Sequence, residues 1–156
     1  MVGYEESSGL SRRGLLRAGA LLAAVMAVPG RVWAAVKRPD GAFKAEGIDA
    51  ALASIASDAA VSDQIDLETP DIAENGGTVP VVVNSKLPGT TRVAILVELN
   101  PNPLSAIFVV PEGSDAYIET RVKVAQTCNI YALVEAGGQW YQASKETKVT
   151  LGGCGG

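Results

Sequence analysis

From Ile65 to Leu151 apolar residues recur at every second position, and turn-forming residues interrupt them. The breaks come roughly every 8–12 residues, the spacing of an antiparallel β-sandwich. Tyr117 to Ala125 is the clearest case. Ile118, Thr120, Val122 and Val124 fall on one face, and Glu119, Arg121 and Lys123 on the other. The same reading predicts strands around Ile65–Leu67, Val79–Val83, Val93–Leu99, Ser105–Val110, Cys128–Glu135, Trp140–Ala143 and Lys145–Leu151. Turn signals separate them at Glu74-Asn75-Gly76-Gly77, Asn100-Pro101-Asn102-Pro103 and Ala136-Gly137-Gly138-Gln139. The expected fold class is therefore all-β.

Before the strands, Phe43, Ile48, Leu52 and Ile55 stand near helical spacing in an Ala-rich stretch. This predicts one N-terminal helix over about 42–57, capped by Asp40 and weakened by Gly47. Two strands break the alternation. Val93–Leu99 has only Glu98 as a polar residue, and Ala106–Val110 has none. A sandwich strand should be wet on one side. One narrow helix covers part of one sheet, so a second protein chain is expected over the remaining apolar face.

Residues 1–34 read as an export leader. Ser11-Arg12-Arg13-Gly14-Leu15-Leu16-Arg17 is a twin-arginine pattern, and the apolar run Ala18–Val28 behind it is 11 residues long. A membrane-spanning helix needs about 20, so no stable membrane anchor is expected. Val32-Trp33-Ala34 suits a cleavage site after Ala34. The pattern resembles a Tat signal, with Leu15 where Phe is commoner. The leader carries four Arg and two Glu, a net +2, so its loss takes the formal charge from −4 to −6. That balance offers no basic surface for nucleic acid. The expected organisation is a leader over 1–34, a β-sandwich with its helix over 35–151, and a swinging arm over 152–156.

The sequence has no histidine. This excludes Ser-His and Cys-His catalytic pairs and any His-ligated metal. It has two cysteines, Cys128 and Cys154. Gly152, Gly153, Gly155 and Gly156 surround Cys154. They leave it nothing to pack against and give its backbone the widest freedom any residue allows. Three residues past Leu151 reach about 10 Å at full extension. No cation or base near Cys154 in the sequence would lower its pKa, and the terminal carboxylate opposes ionisation. Such a thiol is a poor enzyme nucleophile but a good handle, to be loaded and presented to enzymes that bring their own catalysis. The bland readings are an incidental cysteine in an untidy tail and a structural Cys128–Cys154 disulfide. A buried, inert thiol is the simpler reading of Cys128. Two separated cysteines do not make a metal site, and no cofactor is expected.

The terminal Gly152-Gly153-Cys154-Gly155-Gly156, the segment Pro70-Asp71-Ile72-Ala73-Glu74-Asn75-Gly76 leading to Val79-Pro80-Val81, and the twin-arginine leader together resemble the SoxY family. These are sulfur-carrier subunits of a periplasmic thiosulfate-oxidising system. The resemblance implies an immunoglobulin-like sandwich, a heterodimer with a SoxZ-like subunit, and Cys154 as the site of covalent sulfur attachment. It further implies three partner activities: a c-type cytochrome complex that couples thiosulfate to the thiol, a hydrolase that releases sulfate, and a sulfane dehydrogenase. The chain itself would be a carrier and not an enzyme, in the periplasm. Two other functions stay open on the residues alone. One is a thiol-disulfide redox protein using Cys128 and Cys154. The other is a structural module dimerised through Cys154.

Overall fold

Val79, Val81 and Val83 alternate along one strand, Val93, Ile95 and Val97 along another, and Ile130, Ala132 and Val134 along a third. All nine are fully buried, in one cluster between two sheets. Each such Val, Ile or Leu contributes roughly 1.5–3 kcal/mol relative to its exposed state, so this interior dominates the fold. The computed structural model describes residues 39–151. The leader expected over 1–34 and the segment 152–156 lie outside the described residues.

Among the described residues the elements are helices α1 (Asp40–Phe43) and α2 (Ile48–Ile55), then nine strands. The strands are β1 (Ala60–Val61), β2 (Ile65–Glu68), β3 (Ile72–Asn75), β4 (Val79–Ser85), β5 (Thr90–Val97), β6 (Leu104–Val109), β7 (Tyr117–Val122), β8 (Cys128–Ala136) and β9 (Gln139–Leu151). The larger sheet runs β1-β9-β8-β5-β6, and β3 also pairs with β9; the smaller runs β2-β4-β7. This is an all-β sandwich of the immunoglobulin-like kind. Trp140–Ala143 and Lys145–Leu151, expected as two pieces, are one 13-residue strand. Two strands were not expected. β1 and β3 are short, and both lie parallel to β9 on its outer edge.

The expected single helix is two helices. Gly47 has φ 82°, in the left-handed region that a non-glycine residue rarely adopts, and the chain breaks there. Asp40 is the first residue of α1 and not its cap. Pro39 holds the N-cap position, and its carbonyl accepts from the Ala42 N–H at 2.9 Å.

The helices also correct the expectation of a second chain over β5. Ala94 and Leu96 of β5 and Leu133 of β8 point away from the sandwich interior, and all three are fully buried. Ala42, Ala51 and Ala56 cover them, packed with Phe43, Ile48 and Leu52. Alanine has no bulk to hold a helix off the sheet, so a small helical pair covers Ala94, Leu96 and Leu133 fully. At the sheet edge, β6 is less covered. Its Ile107 and Phe108 are half-buried, and Val109 is exposed.

Candidate functional site: the root of the C-terminal segment and the buried thiol

β8 begins at Cys128, opposite Thr147 of β9. From Gln139 to Thr147 the antiparallel ladder between the two strands is continuous. β9 then runs on through Lys148–Leu151, beyond the start of β8. These last residues pair with β3 instead, in the register Ile72↔Lys148, Ala73↔Val149 and Asn75↔Leu151.

The hydrogen bonds that hold this root join residues far apart in sequence. The Lys148 N–H donates to the Asp71 carbonyl at 3.0 Å, and the Gly76 N–H donates to the Leu151 carbonyl at 2.7 Å. The Thr150 hydroxyl donates to the Glu74 carbonyl at 2.9 Å. From the other side, the Val149 N–H donates to Thr127 Oγ1 at 3.0 Å. Lys145 Nζ lies 2.9 Å from an Asp71 carboxylate oxygen and donates to the Thr69 carbonyl at 2.7 Å. The turn after β3 is fixed by its own sequence. The Asn75 side chain accepts from the Gly77 N–H at 2.7 Å, and the Gly76 carbonyl accepts from the Val124 N–H at 2.7 Å. Around this root Ile72 and Leu151 are 61% and 71% exposed, unusual for apolar side chains on paired strands.

Cys128 lies on the opposite side of this division. It is 5% exposed, carries no disulfide, and packs in the sandwich interior. Burial pushes its thiol pKa up, against backbone hydrogen bonding at Leu99 and Glu98 that pulls it down; the Glu98 charge adds to the rise. A protonated, enclosed thiol is inert toward large partners. Its strand partner Thr147 is also fully buried, and its hydroxyl is satisfied by Thr69 Oγ1 at 2.9 Å.

Of the residues expected at the site, Gly152, Gly153, Cys154, Gly155 and Gly156 lie outside the described residues. Only their point of departure, Leu151, is described. Sequence reasoning missed Asp71, Thr127 and Thr150, which fasten that point. Thr150 sits in a clean alternation with Val149 and Leu151, but periodicity says nothing about which strand it meets. Among the described residues no three of His, Cys, Asp and Glu gather as metal ligands. An open hollow of about 610 Å³ lies at the far end of the sandwich, where Thr90 pairs with Ala136. It is lined by Ser85, Lys86, Thr90, Glu112 and Asp115 among others, and holds no cysteine.

A family model described as "Sulfur oxidation protein SoxY" matches residues 50–154. The chain belongs to the SoxY family. The matched region ends on Cys154 itself. The solved structure of the sulfur carrier protein SoxY from Chlorobium limicola f thiosulfatophilum is similar, with 36% identity and a TM-score of 0.58. The match covers 66% of this chain and 96% of that one. A superoxide reductase (neelaredoxin) from Ignicoccus hospitalis also aligns, at 18% identity and a TM-score of 0.49, over 55% of this chain and 80% of its own. Likeness at that level carries no argument about function. No curated protein sequence matches. As a SoxY protein, the chain has a role in sulfur oxidation as a sulfur carrier.

Proposed function

We propose that Cys154 is the covalent attachment point for sulfur, and that this chain presents its cargo to partner enzymes without catalysing a step itself. One observation carries the reading. Of the two cysteines in the sequence, Cys128 is walled into the sandwich interior, so the sulfur chemistry falls to Cys154. The family match running through that residue supports it.

The chemistry follows from a thiol beside no base. In the loading step the Cys154 S–H gives up its proton to solvent and the sulfur forms an S–S bond to the outer sulfur of thiosulfate. This is a two-electron oxidation, and a c-type cytochrome complex accepts the electrons. Water then attacks the sulfonate sulfur of the cysteine S-thiosulfonate on a hydrolase, sulfate leaves, and a persulfide remains on Cys154. A sulfane dehydrogenase removes six electrons from that terminal sulfur while three waters supply its oxygens. The hydrolase cleaves the resulting S-sulfonate to sulfate and the free thiol. Every base, metal and electron acceptor in this sequence of steps belongs to a partner, which accords with a chain lacking histidine. The twin-arginine leader supports a periplasmic location and export in the folded state. The half-covered β6 edge, with Val109 exposed, is one apolar surface available for a SoxZ-like subunit.

The redox alternative requires Cys128 to meet Cys154, and burial of Cys128 counts against it. The test is a pair of variants. Cys154→Ser should abolish thiosulfate-dependent reduction of the cytochrome partner, whereas Cys128→Ser should retain it. Turnover by Cys154→Ser would end the carrier reading, and equal loss in both variants would favour the redox pair.

A further inference from the structure

β9 is held in two different ways along its length. Up to Thr147 it is bonded to β8 within the main sheet; from Lys148 to Leu151 its strand partner is β3. β3 is itself slight. It is four residues long, only Ala73 is buried, and among the described residues it pairs with no strand but β9. Removing it would leave the β8–β9 ladder intact and take one small side chain, Ala73, from the two-sheet core. From this the geometry points to β3 and its flanks as a clamp that sets the working length of the sulfur-bearing arm, with Asp71, Gly76, Thr127 and Thr150 as positioning residues.

The inference rests on the carrier reading of Cys154. With the clamp closed, Leu151 is held, and the three residues from there to Cys154 span at most about 10 Å. With it open, the last fixed residue is Thr147, and seven residues give about 23–25 Å. A thiol on the longer tether is diluted over a larger volume. The effective concentration falls roughly as the −3/2 power of length, about 3–4-fold for this change. The closed clamp also aims the arm, since the direction of the chain at Leu151 is fixed by the Gly76 and Thr150 bonds. Short segments with few buried side chains open well below the free energy of global unfolding, so the clamp can be loosened selectively.

The experiment uses the full mature chain with Cys154 intact. Thr150→Val removes the hydroxyl that donates to Glu74 while keeping the side-chain shape. Thr150→Ser keeps the hydroxyl and serves as the rescue. Gly76→Pro removes the N–H that bonds Leu151. Amide hydrogen exchange is read at Lys148, whose N–H bonds Asp71, and along β8 as a check on folding. Loading of Cys154 is then followed with thiosulfate and its coupling cytochrome. The expected result for Thr150→Val and Gly76→Pro is at least about 10-fold faster exchange at Lys148, with β8 unchanged. The loading kcat should fall about 3–4-fold with KM unchanged, because docking is untouched and only delivery after docking is diluted. Thr150→Ser should behave as wild type. Unchanged exchange in both variants would overturn the inference, as would faster exchange with an unchanged kcat. Failure of wild-type Cys154 to take up sulfur would sink the carrier reading and the clamp with it. Normal loading on an open clamp would sink the clamp alone.

Discussion

The two halves of β9 do opposite jobs. Gln139–Thr147 belongs to the frame, laddered to β8 and backed by Ile130, Ala132 and Val134. Lys148–Leu151 belongs to the arm root, held by a four-residue parallel strand and a few side-chain bonds. The cysteines divide along the same line. Cys128 stands opposite Thr147, on the last rung of the frame, with its thiol enclosed. Cys154 lies three residues past the end of the root. On the proposed reading a carrier needs both: a frame that several enzymes recognise, and a thiol that each of them can enclose. The difference shows that one strand can supply the two if its neighbours stop at different places.

The comparison can be broken most forcefully in the frame. Ile130 is fully buried next to the Cys128 end of β8. Ile130→Ala should lower unfolding stability by about 2–5 kcal/mol, measured by chemical denaturation, because both the lost burial and the residual cavity count. Thr150→Val in the root should leave the denaturation midpoint nearly unchanged. Comparable losses in both variants would mean that the root is part of the frame.

The smallest effect sits at the other end of the frame, where Glu135 pairs with Trp140 across the β8–β9 ladder. Arg92 donates to Glu135 through Nη2 at 2.7 Å and through Nε at 2.5 Å, and its guanidinium lies 5.0 Å from the Trp140 ring centroid. The Arg92 hydrogen bonds, opposed by partial burial and aided by Thr91, hold the Glu135 carboxyl below its ordinary 4.5. A depressed carboxylate stabilises the fold above its unfolded pKa, and that contribution is lost as pH falls through the lowered folded value. Thermal unfolding of the wild type should therefore decline more steeply below about pH 4.5 than that of Glu135→Gln. The pair is partly exposed, so the difference should stay within about 1 kcal/mol. Parallel pH profiles would show that this end of the frame does not depend on the charge pair.

Much of the frame could be read from residue spacing. Tyr117–Val122 alternates because it faces a dry interior on one side and water on the other, and Val79–Val83 is legible as a β-branched run after a turn signal. Val93–Leu99 announced a buried strand by its apolar content. What covered the second face of β5 could not be read, because closeness of packing depends on Ala51 and Ala42 meeting the sheet, and on Gly47 turning the chain between two short helices. A helix judged narrow by its apolar stripe turned out to be sufficient because it is small. β1 and β3 were illegible for another reason. Two residues have no period, and β3 turns only Ala73 inward. Their parallel pairing with β9 is a long-range contact, as in Ile72↔Lys148, that no local pattern encodes. The candidate site divided in the same way. The thiol stood out by its glycines, while its anchorage at Asp71, Thr127 and Thr150 is a property of the assembled edge.

The central claim is that Cys154 bears the sulfur and Cys128 does not. The most direct measurement is peptide-resolved mass spectrometry of the protein isolated without reductant from thiosulfate-oxidising cells. The account predicts thiosulfonate or persulfide mass additions, removable by reductant, on the peptide containing Cys154, and an unmodified Cys128. Sulfur on Cys128, or a Cys128–Cys154 disulfide as the dominant form, would contradict it.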